Sequence, residues 1–567
     1  MHRGIITRWL GDYKKDLAKG VLFVALLFFC IHGLMPVQYQ AIFLLYAIFI
    51  FAMLHTQLSN PAETENIPPL SRRFGSVLTV GALILFTLSR AIPFLRYGPA
   101  PLGYDTGFYL QYFATIIPAG RISDAILTGS IAYTPWFPLH YLGFSGLTIL
   151  DFLHLLHQVM LLGAVYFLLH SLPFGKRSMI GSAVGIFLFS ISITQFMGFW
   201  WMFYKQSMAL PFLILALGLF LRQSWLAIPI AAVGAAIHLQ SAIPFGVAFT
   251  LFLVWQIVMA LIERRPIDRE LWILTLGGAL AALLLIIIKG PQDLLGYLTY
   301  FQSLGGLASN APDGGAIQAQ GLFIPFSTAR LNLLFILPFG LLGVLNARRW
   351  LWSDHRSRNA FLLILFVVSL ILSAFPFIYQ NRSLVVLDLI FIVLATYPAT
   401  LFVERCMAGR TDRATLSLLG FGLVLWSTLV ITNQPPQLYP DERLELTALE
   451  QRIRPGKDYA MATSSIYTPW VFAFTNFRDT IAPGWLFWNK WDYPTWQKFW
   501  LTSNDQERDW LLEAYGPGDI YMFVGRHQQM SLSFQRFLKN DAHVQPVSPH
   551  IWRYSQTIQQ TPPPPLL

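Results

Sequence analysis

Pro101-Leu-Gly-Tyr-Asp-Thr-Gly-Phe-Tyr-Leu-Gln-Tyr-Phe113 is the stretch around which the chain is organised. It follows an apolar run ending near Pro93, opens on turn residues, offers one carboxylate at Asp105 and continues into Tyr and Phe. Such rings favour the membrane–water interface, so Gly107–Ile117 suits a short helix lying flat there. Asp105 would stand at its N-terminus, just outside the hydrocarbon. Two roles are open to that carboxylate. Asp is a favoured N-cap that holds the first free N–H groups of a helix, and it can also act as base to a reacting group.

The composition places this stretch in a bilayer. Of 567 residues, 55% are hydrophobic and 12% charged, about half the charged fraction of a soluble protein. Mean hydropathy is +0.52. Apolar spans recur near 20–35, 39–56, 74–94, 150–171, 178–199, 207–221, 225–241, 243–262, 271–288, 326–346, 360–378, 384–403 and 414–432. They predict a polytopic α-helical membrane protein of about 13 transmembrane helices. No small-residue cleavage site follows the first run, which predicts a retained helix rather than a signal peptide. Cys30 and Cys406 lie far apart in or beside apolar segments, which argues against a disulfide framework or thiolate metal site.

The net charge of +10 does not point to nucleic acid, because most basic residues fall in short loops between apolar runs. With the N-terminus and Lys14, Lys15 and Lys19 inside, alternation puts Arg72/Arg73, Lys176/Arg177, Arg222, Arg264/Arg265/Arg269, Arg348/Arg349/Arg356/Arg358 and Arg405/Arg410/Arg413 on the same side. This positive-inside pattern predicts an N-in, C-out chain. Asp105, the 289–325 loop and everything after about 433 then lie outside the cytoplasm. Arg90, Arg96, Arg121, Lys205, Lys289, Arg330 and Arg382 fall at the outer side and do nothing for orientation there. Each suits an anionic ligand, or lipid headgroups and snorkelling.

The outer segments supply further candidates. In Tyr133-Thr-Pro-Trp-Phe-Pro-Leu-His140, Pro135 and Pro138 argue against a regular helix, and Trp136, Phe137 and His140 suit a sugar pocket or an interfacial anchor. Asp151, His154 and His157 stand three apart, a spacing that drifts around a helix and matches a tetrahedral metal site poorly; Asp151 suits an N-cap. Lys205 opens one helix and His238 closes another at the level expected for Asp105. The Gly-, Ala-, Asn- and Gln-rich 303–322 segment reads as a mobile loop, either gate or connector. In Phe375-Pro-Phe-Ile-Tyr-Gln-Asn-Arg382, Arg382 starts a helix, with Asp388 further inside. Arg and helix N–H groups converging there suit a phosphate.

Composition changes near 433. Pro435, Pro436 and Pro440 make a linker, Asp441–Ile453 reads as a polar helix, Lys457–Thr463 and Asp519–Val524 as strands, and Gln506–Tyr515 and Ser531–Leu538 as helices. This predicts a small extracytoplasmic α/β domain at 433–556, with 557–567 a disordered Pro-rich tail. Trp470, Trp485, Trp488, Trp491, Trp496 and Trp500 suit core packing, sugar stacking or the bilayer surface.

Four features together resemble the GT-C superfamily of membrane glycosyltransferases, particularly the polyprenyl- or dolichyl-phosphate-sugar type related to protein mannosyltransferases and oligosaccharyltransferases. They are Gly103-Tyr-Asp-Thr-Gly-Phe-Tyr109 in a first outer loop at 95–149, a helix opening Phe203-Tyr-Lys-Gln-Ser-Met-Ala-Leu-Pro211, a late helix starting with Arg382, and an outer domain with Thr463-Ser-Ser-Ile-Tyr-Thr-Pro-Trp470 and Arg478-Asp-Thr-Ile-Ala-Pro483. The likeness spans 74–432 and the outer domain, with 1–73 as two additional helices. It implies transfer of a sugar from a polyprenyl-phosphate donor to a glycan, lipid or protein acceptor at the outer face of the plasma membrane. Asp105 matches the family's first-loop acid and would be the general base. Arg382, Arg330 and Lys205 would hold the donor phosphate, with His238, Tyr104, His140 and Tyr379 as further contacts. Many members carry two acids in that loop and this chain has one, which fits a base better than a chelate. A divalent cation, Mg or Mn, would have Asp105 as its ligand. Displacement by a single base would invert the anomeric centre. Two other readings share parts of the pattern. A transporter or scaffold for lipid-linked glycans would do no chemistry, and a transporter keeps ionisable groups along a path through the bilayer; here they cluster at helix ends. A glycan ligase or polymerase would use the same donor chemistry to move a whole chain.

Overall fold

The computed structural model describes residues 44, 45, 47, 48, 50, 70–98, 103, 105–116, 132, 135–173, 177–264, 266, 269–289, 326–348, 358–374, 380–408, 410–475, 479–483, 491–528 and 530–556. The expected spans at 20–35 and 39–56 fall largely outside them, as do the 303–322 segment and the tail after 556.

The membrane module runs α1 (Arg72–Tyr97), α2 (Thr106–Ile116), α3 (Trp136–Tyr141), α4 (Gly146–Ser171), α5 (Ser178–Ile191), α6 (Ile193–Trp200), α7 (Tyr204–Leu221), α8 (Ala227–Ile237), α9 (Leu239–Ile262), α10 (Arg269–Lys289), α11 (Phe326–Ala347), α12 (Ala360–Ala374), α13 (Gln380–Ala408) and α14 (Arg410–Thr432). Among the described residues, five helices are long and apolar enough to cross a membrane, or up to six if the bent α5–α6 pair is one span. Shorter apolar helices stand at the remaining expected spans after 225. α13 is the hub: 94% of its apolar window is buried, against 22% for α9. Small residues let helices meet it closely, with Gly340 against the Phe391 ring and Gly343 against the Leu394 carbonyl.

Three local expectations are corrected. The span at 178–199 is two helices bent by 56°. The break is at Ser192, whose extended backbone (ψ 117°) and side chain cap α6 by accepting from Gln195 N. The chain around Pro135 and Pro138 does form a helix, α3, because both prolines sit at its start, where their missing N–H groups have no helical partner to lose. Asp151 does not begin a helix: α4 starts a turn and a half earlier, capped by Ser145 accepting from Thr148 N.

The C-terminal domain, expected on the outer side, contains α15 (Pro440–Arg452), β1 (Tyr459–Ala462), α16 (Thr468–Ala473), β2 (Thr480–Ile481), α17 (Tyr493–Leu501), α18 (Asp505–Glu513), β3 (Ile520–Phe523), α19 (Leu532–Asn540), β4 (Val544–Ser548) and β5 (Ile551–Tyr554). Its five-stranded sheet has the order β2-β1-β3-β5-β4. β2, β1 and β3 are parallel, and β5 and β4 are antiparallel additions. Each face has a core. One gathers Trp491, Trp496, Phe499, Trp500 and Phe537, so these Trp residues are core rather than exposed sugar platforms. The other holds Tyr467, Trp470 and Leu446 and continues into Tyr97, Phe108 and Leu110 of the membrane module. Apolar packing thus seats the domain directly on α2 and the end of α1.

Candidate active site

Two glycines frame Asp105. A Cβ on Gly103 would lie 2.6 Å from the Trp200 carbonyl oxygen, and one on Gly107 would lie 2.2 Å from the Pro469 carbonyl oxygen. Only glycine allows α6 to press on one side of Asp105 and α16 on the other. The clamp is reinforced where Trp470 Nε1 donates to the Gly103 carbonyl at 3.1 Å. Nearby, Trp200 Nε1 donates to the Pro435 carbonyl and the Tyr97 hydroxyl to the Gln434 carbonyl, tying down the linker as well.

Asp105 accepts from Tyr109 N through its own carbonyl, so it stands at the start of α2 as expected. Its side chain reaches across to another helix. Oδ2 lies 3.2 Å from Arg382 Nη2 at the head of α13. Both side chains keep a little exposure, 13% and 17%, so a ligand can reach the pair. Arg382 is itself fixed on three sides. Nη1 lies 3.0 Å from His238 Nε2, the guanidinium lies over the Phe203 ring at 5.0 Å, and Gln206 Nε2 donates to the Arg382 carbonyl. A guanidinium only donates, so Nε2 of His238 accepts from it, while Nδ1 caps α9, accepting from Ser241 N at 3.2 Å and lying 2.7 Å from Ser241 Oγ. His238 does not simply close a helix: its extended backbone (φ −149°, ψ 94°) separates α8 from α9.

Electrostatics tune the carboxylate. Burial pushes the Asp105 pKa above its ordinary 3.8, while the charges of Arg382 and Lys205 and the Arg382 hydrogen bond pull the other way. Among the described residues, two cations thus surround one carboxylate. Asp105 is the sole carboxylate of this group among the described residues and already faces both, so the donor set suits Mg or Mn poorly. The described residues contain no cluster of three potential metal ligands. Of the drifting triad, His154 has Nε2 against the Phe199 carbonyl at 2.9 Å and stacks on the Phe199 ring, while His157 packs against Tyr204.

The structure therefore brings together Asp105, Arg382, Lys205 and His238 from the expected set. His140 stands instead on the exposed end of α3 beside Tyr141. Arg90 is buried among the rings of Phe86, Phe189, Phe196 and Phe199 and donates to Ser89 Oγ. Arg96 lies exposed over Tyr97. Tyr104, Tyr379, Arg121 and the side chains of Arg330 and Lys289 lie outside the described residues. Sequence reasoning missed Phe203 and Gln206 as supports of Arg382. They are the neighbours of Lys205 on the same turn, the one signal that could have pointed to them.

No family model matches the chain, and no curated protein matches it. Among solved structures it is similar to the archaeal oligosaccharyltransferase AglB from Archaeoglobus fulgidus in complex with an inhibitory peptide and a dolichol-phosphate. That match has 13% identity and a TM-score of 0.52, and covers 85% of this chain and 75% of that one. An Archaeoglobus fulgidus oligosaccharyltransferase tethered to an acceptor peptide also matches, at 14% identity and a TM-score of 0.44, over 78% of this chain and 69% of that one. The first of these matches shows a shared fold.

Proposed function

We propose that this chain, folded like an oligosaccharyltransferase, is a multi-pass membrane glycosyltransferase that moves a sugar from a polyprenyl-phosphate donor to a glycan, lipid or protein acceptor at the extracytoplasmic face of the plasma membrane. One observation carries the proposal: Asp105 and Arg382, 277 residues apart in sequence, meet at 3.2 Å with Lys205 and His238 around them. Inverting transfer needs that combination. Asp105 removes the proton from the acceptor hydroxyl as its oxygen bonds the anomeric carbon. The bond from that carbon to the phosphate oxygen breaks, and the phosphate leaves with the electron pair. Arg382 and Lys205 stabilise the negative charge gathering there. Arg suits this role because its planar fork donates two bonds at once. His238 accepts from the other edge of the fork and keeps it facing the site. Burial raises the Asp105 pKa and so makes it a stronger base, while the charges of Arg382 and Lys205 favour its ionised form.

The test is radiolabelled sugar transfer from a panel of polyprenyl-phosphate sugars, with wild type and Asp105→Asn side by side, with and without chelator. Transfer by wild type alone, indifferent to chelator, is the expected result. Equal turnover by Asp105→Asn would refute the base. Absence of transfer with donors still bound would favour a scaffold or transporter.

A further inference from the structure

We infer that Asp388, six residues into α13 from Arg382, is a positioning residue that sets the distance between Asp105 and Arg382; the inference rests on the reading of that pair as base and phosphate-binding group. The Asp388 carboxylate is 2% exposed and lies at the break between α5 and α6. Its Oδ2 accepts from Ser192 Oγ at 2.7 Å and from Gln195 Nε2 at 2.9 Å. Gln195 Nε2 also reaches the Val385 carbonyl at 2.8 Å, one turn earlier on α13. A Cβ on Gly198 would lie 3.3 Å from Val385, so the two helices touch along this line.

The consequence is geometric. α6 runs from this latch to Trp200, and its end is the surface on which Gly103 rests. The next residues reverse the chain through Met202 in the left-handed region (φ 55°) and present Phe203 beneath Arg382. Arg382 stands about 9 Å along α13 from Asp388, at 1.5 Å per residue. The wall behind Asp105 and the helix that carries Arg382 are thus registered to each other through one buried carboxylate. An apolar residue at 388 leaves the Ser192 hydroxyl and the Gln195 amide without this acceptor, deep among apolar helices where water cannot replace it. The α6 end is then free to shift, and Asp105 and the Phe203 ring with it. Arg382 loses only that ring as a fixed support and keeps its backbone on α13 and its contact with His238.

The full-length protein in detergent or nanodiscs tests this with Asp388→Leu, Asp388→Asn and, as a milder variant that removes one hydrogen bond, Ser192→Ala. Asp388→Leu should lower kcat about 10–100-fold, the range expected for a misplacement near 1 Å, with donor KM changed less than about threefold. Backbone amides of Thr106–Gln111 should exchange faster while those of β1 and β3 do not. Asp388→Asn keeps an acceptor oxygen and should recover most of both. Unchanged kcat and exchange in Asp388→Leu and Ser192→Ala would overturn the inference. So would equal loss in the Asn variant, or a rise in exchange across the C-terminal domain as well. The exchange arm reads the latch without turnover, so a wild type inactive on every donor would refute the proposed function and leave the latch to be decided by exchange alone.

Discussion

Gly107→Ala should separate chemistry from stability in this protein. An alanine Cβ would meet backbone only: the Pro469 carbonyl oxygen at 2.2 Å, its carbon at 2.3 Å and Trp470 N at 2.7 Å. No side chain can swing away, so α2 and α16 must part by about 1 Å to restore ordinary contact. Overpacking of this kind costs about 1–3 kcal/mol. Replacing glycine by alanine within a helix returns about 0.5–1 kcal/mol. The net cost is about 0–2.5 kcal/mol, a small part of the stability of a large membrane protein. The displacement acts two residues from Asp105, however, and about 1 Å of misplacement costs up to about 100-fold in rate. The expected signature is a large fall in single-turnover rate with a small shift in the melting curve followed by tryptophan fluorescence. Gly163→Ala is the control, because its Cβ would meet nothing within 4 Å; it should leave both readouts unchanged or raise stability slightly. Wild-type turnover in Gly107→Ala would falsify the view that α16 is seated on the loop that carries the proposed base.

Three more outcomes are expected. Arg382→Ala should weaken donor binding about 10–100-fold, the scale of a charge-assisted hydrogen bond to phosphate, and Arg382→Lys should recover only part because it lacks the fork; equal donor affinity in all three proteins, by competition binding, would remove its phosphate role. The acid limb of kcat/KM should lie above pH 3.8, since burial raises the Asp105 pKa and the base works only when ionised; Asp105→Glu, if it retains any rate, should move that limb. In the C-terminal domain, His550 Nδ1 lies 2.9 Å from Glu445 Oε1. The bond from Glu445 holds the His550 pKa above 6.5; burial works against the charged Glu445, but bonds from His550 and Ser548 outweigh it and hold Glu445 below 4.5. The histidine term is fully present below pH 6.5 and lost as pH rises through the raised value; the glutamate term is present above pH 4.5 and lost as pH falls through the lowered one. Stability of the α15–β5 contact should therefore peak between those two values, and in His550→Gln a melting series across pH should show a flatter profile.

Much of this arrangement was legible beforehand, for a physical reason. Bilayer spans must be long, apolar and free of charge, so α1, α4, α7, α9 and α13 announce themselves. Asp105, Lys205 and Arg382 stood out because charged groups beside such spans are costly and few. Short elements were less visible. β2 has two residues, and β4 carries Pro546 in mid-strand with a register shift beside it, so neither shows a clear alternating pattern. The Ser192 break was hidden because α5 and α6 are both apolar throughout; a hydropathy run records composition and not direction.

What the sequence determines by itself is the solvent for each long segment: lipid for the apolar helices and water for the charged surface beyond 433. These follow from transfer energies that each stretch carries alone. The aromatic run after Asp105, expected at the interface, is instead packed into protein cores. Which charges face one another is decided only by tertiary structure. Arg90 and Arg382 look alike as outer-side arginines, yet one is enclosed by phenylalanine rings and the other meets a carboxylate. The difference arises because α13, the bent α5–α6 pair and the C-terminal domain all press on one short loop, and its two glycines admit them. Contacts between residues hundreds of positions apart depend on how helices pack, and no local run of residues carries that information.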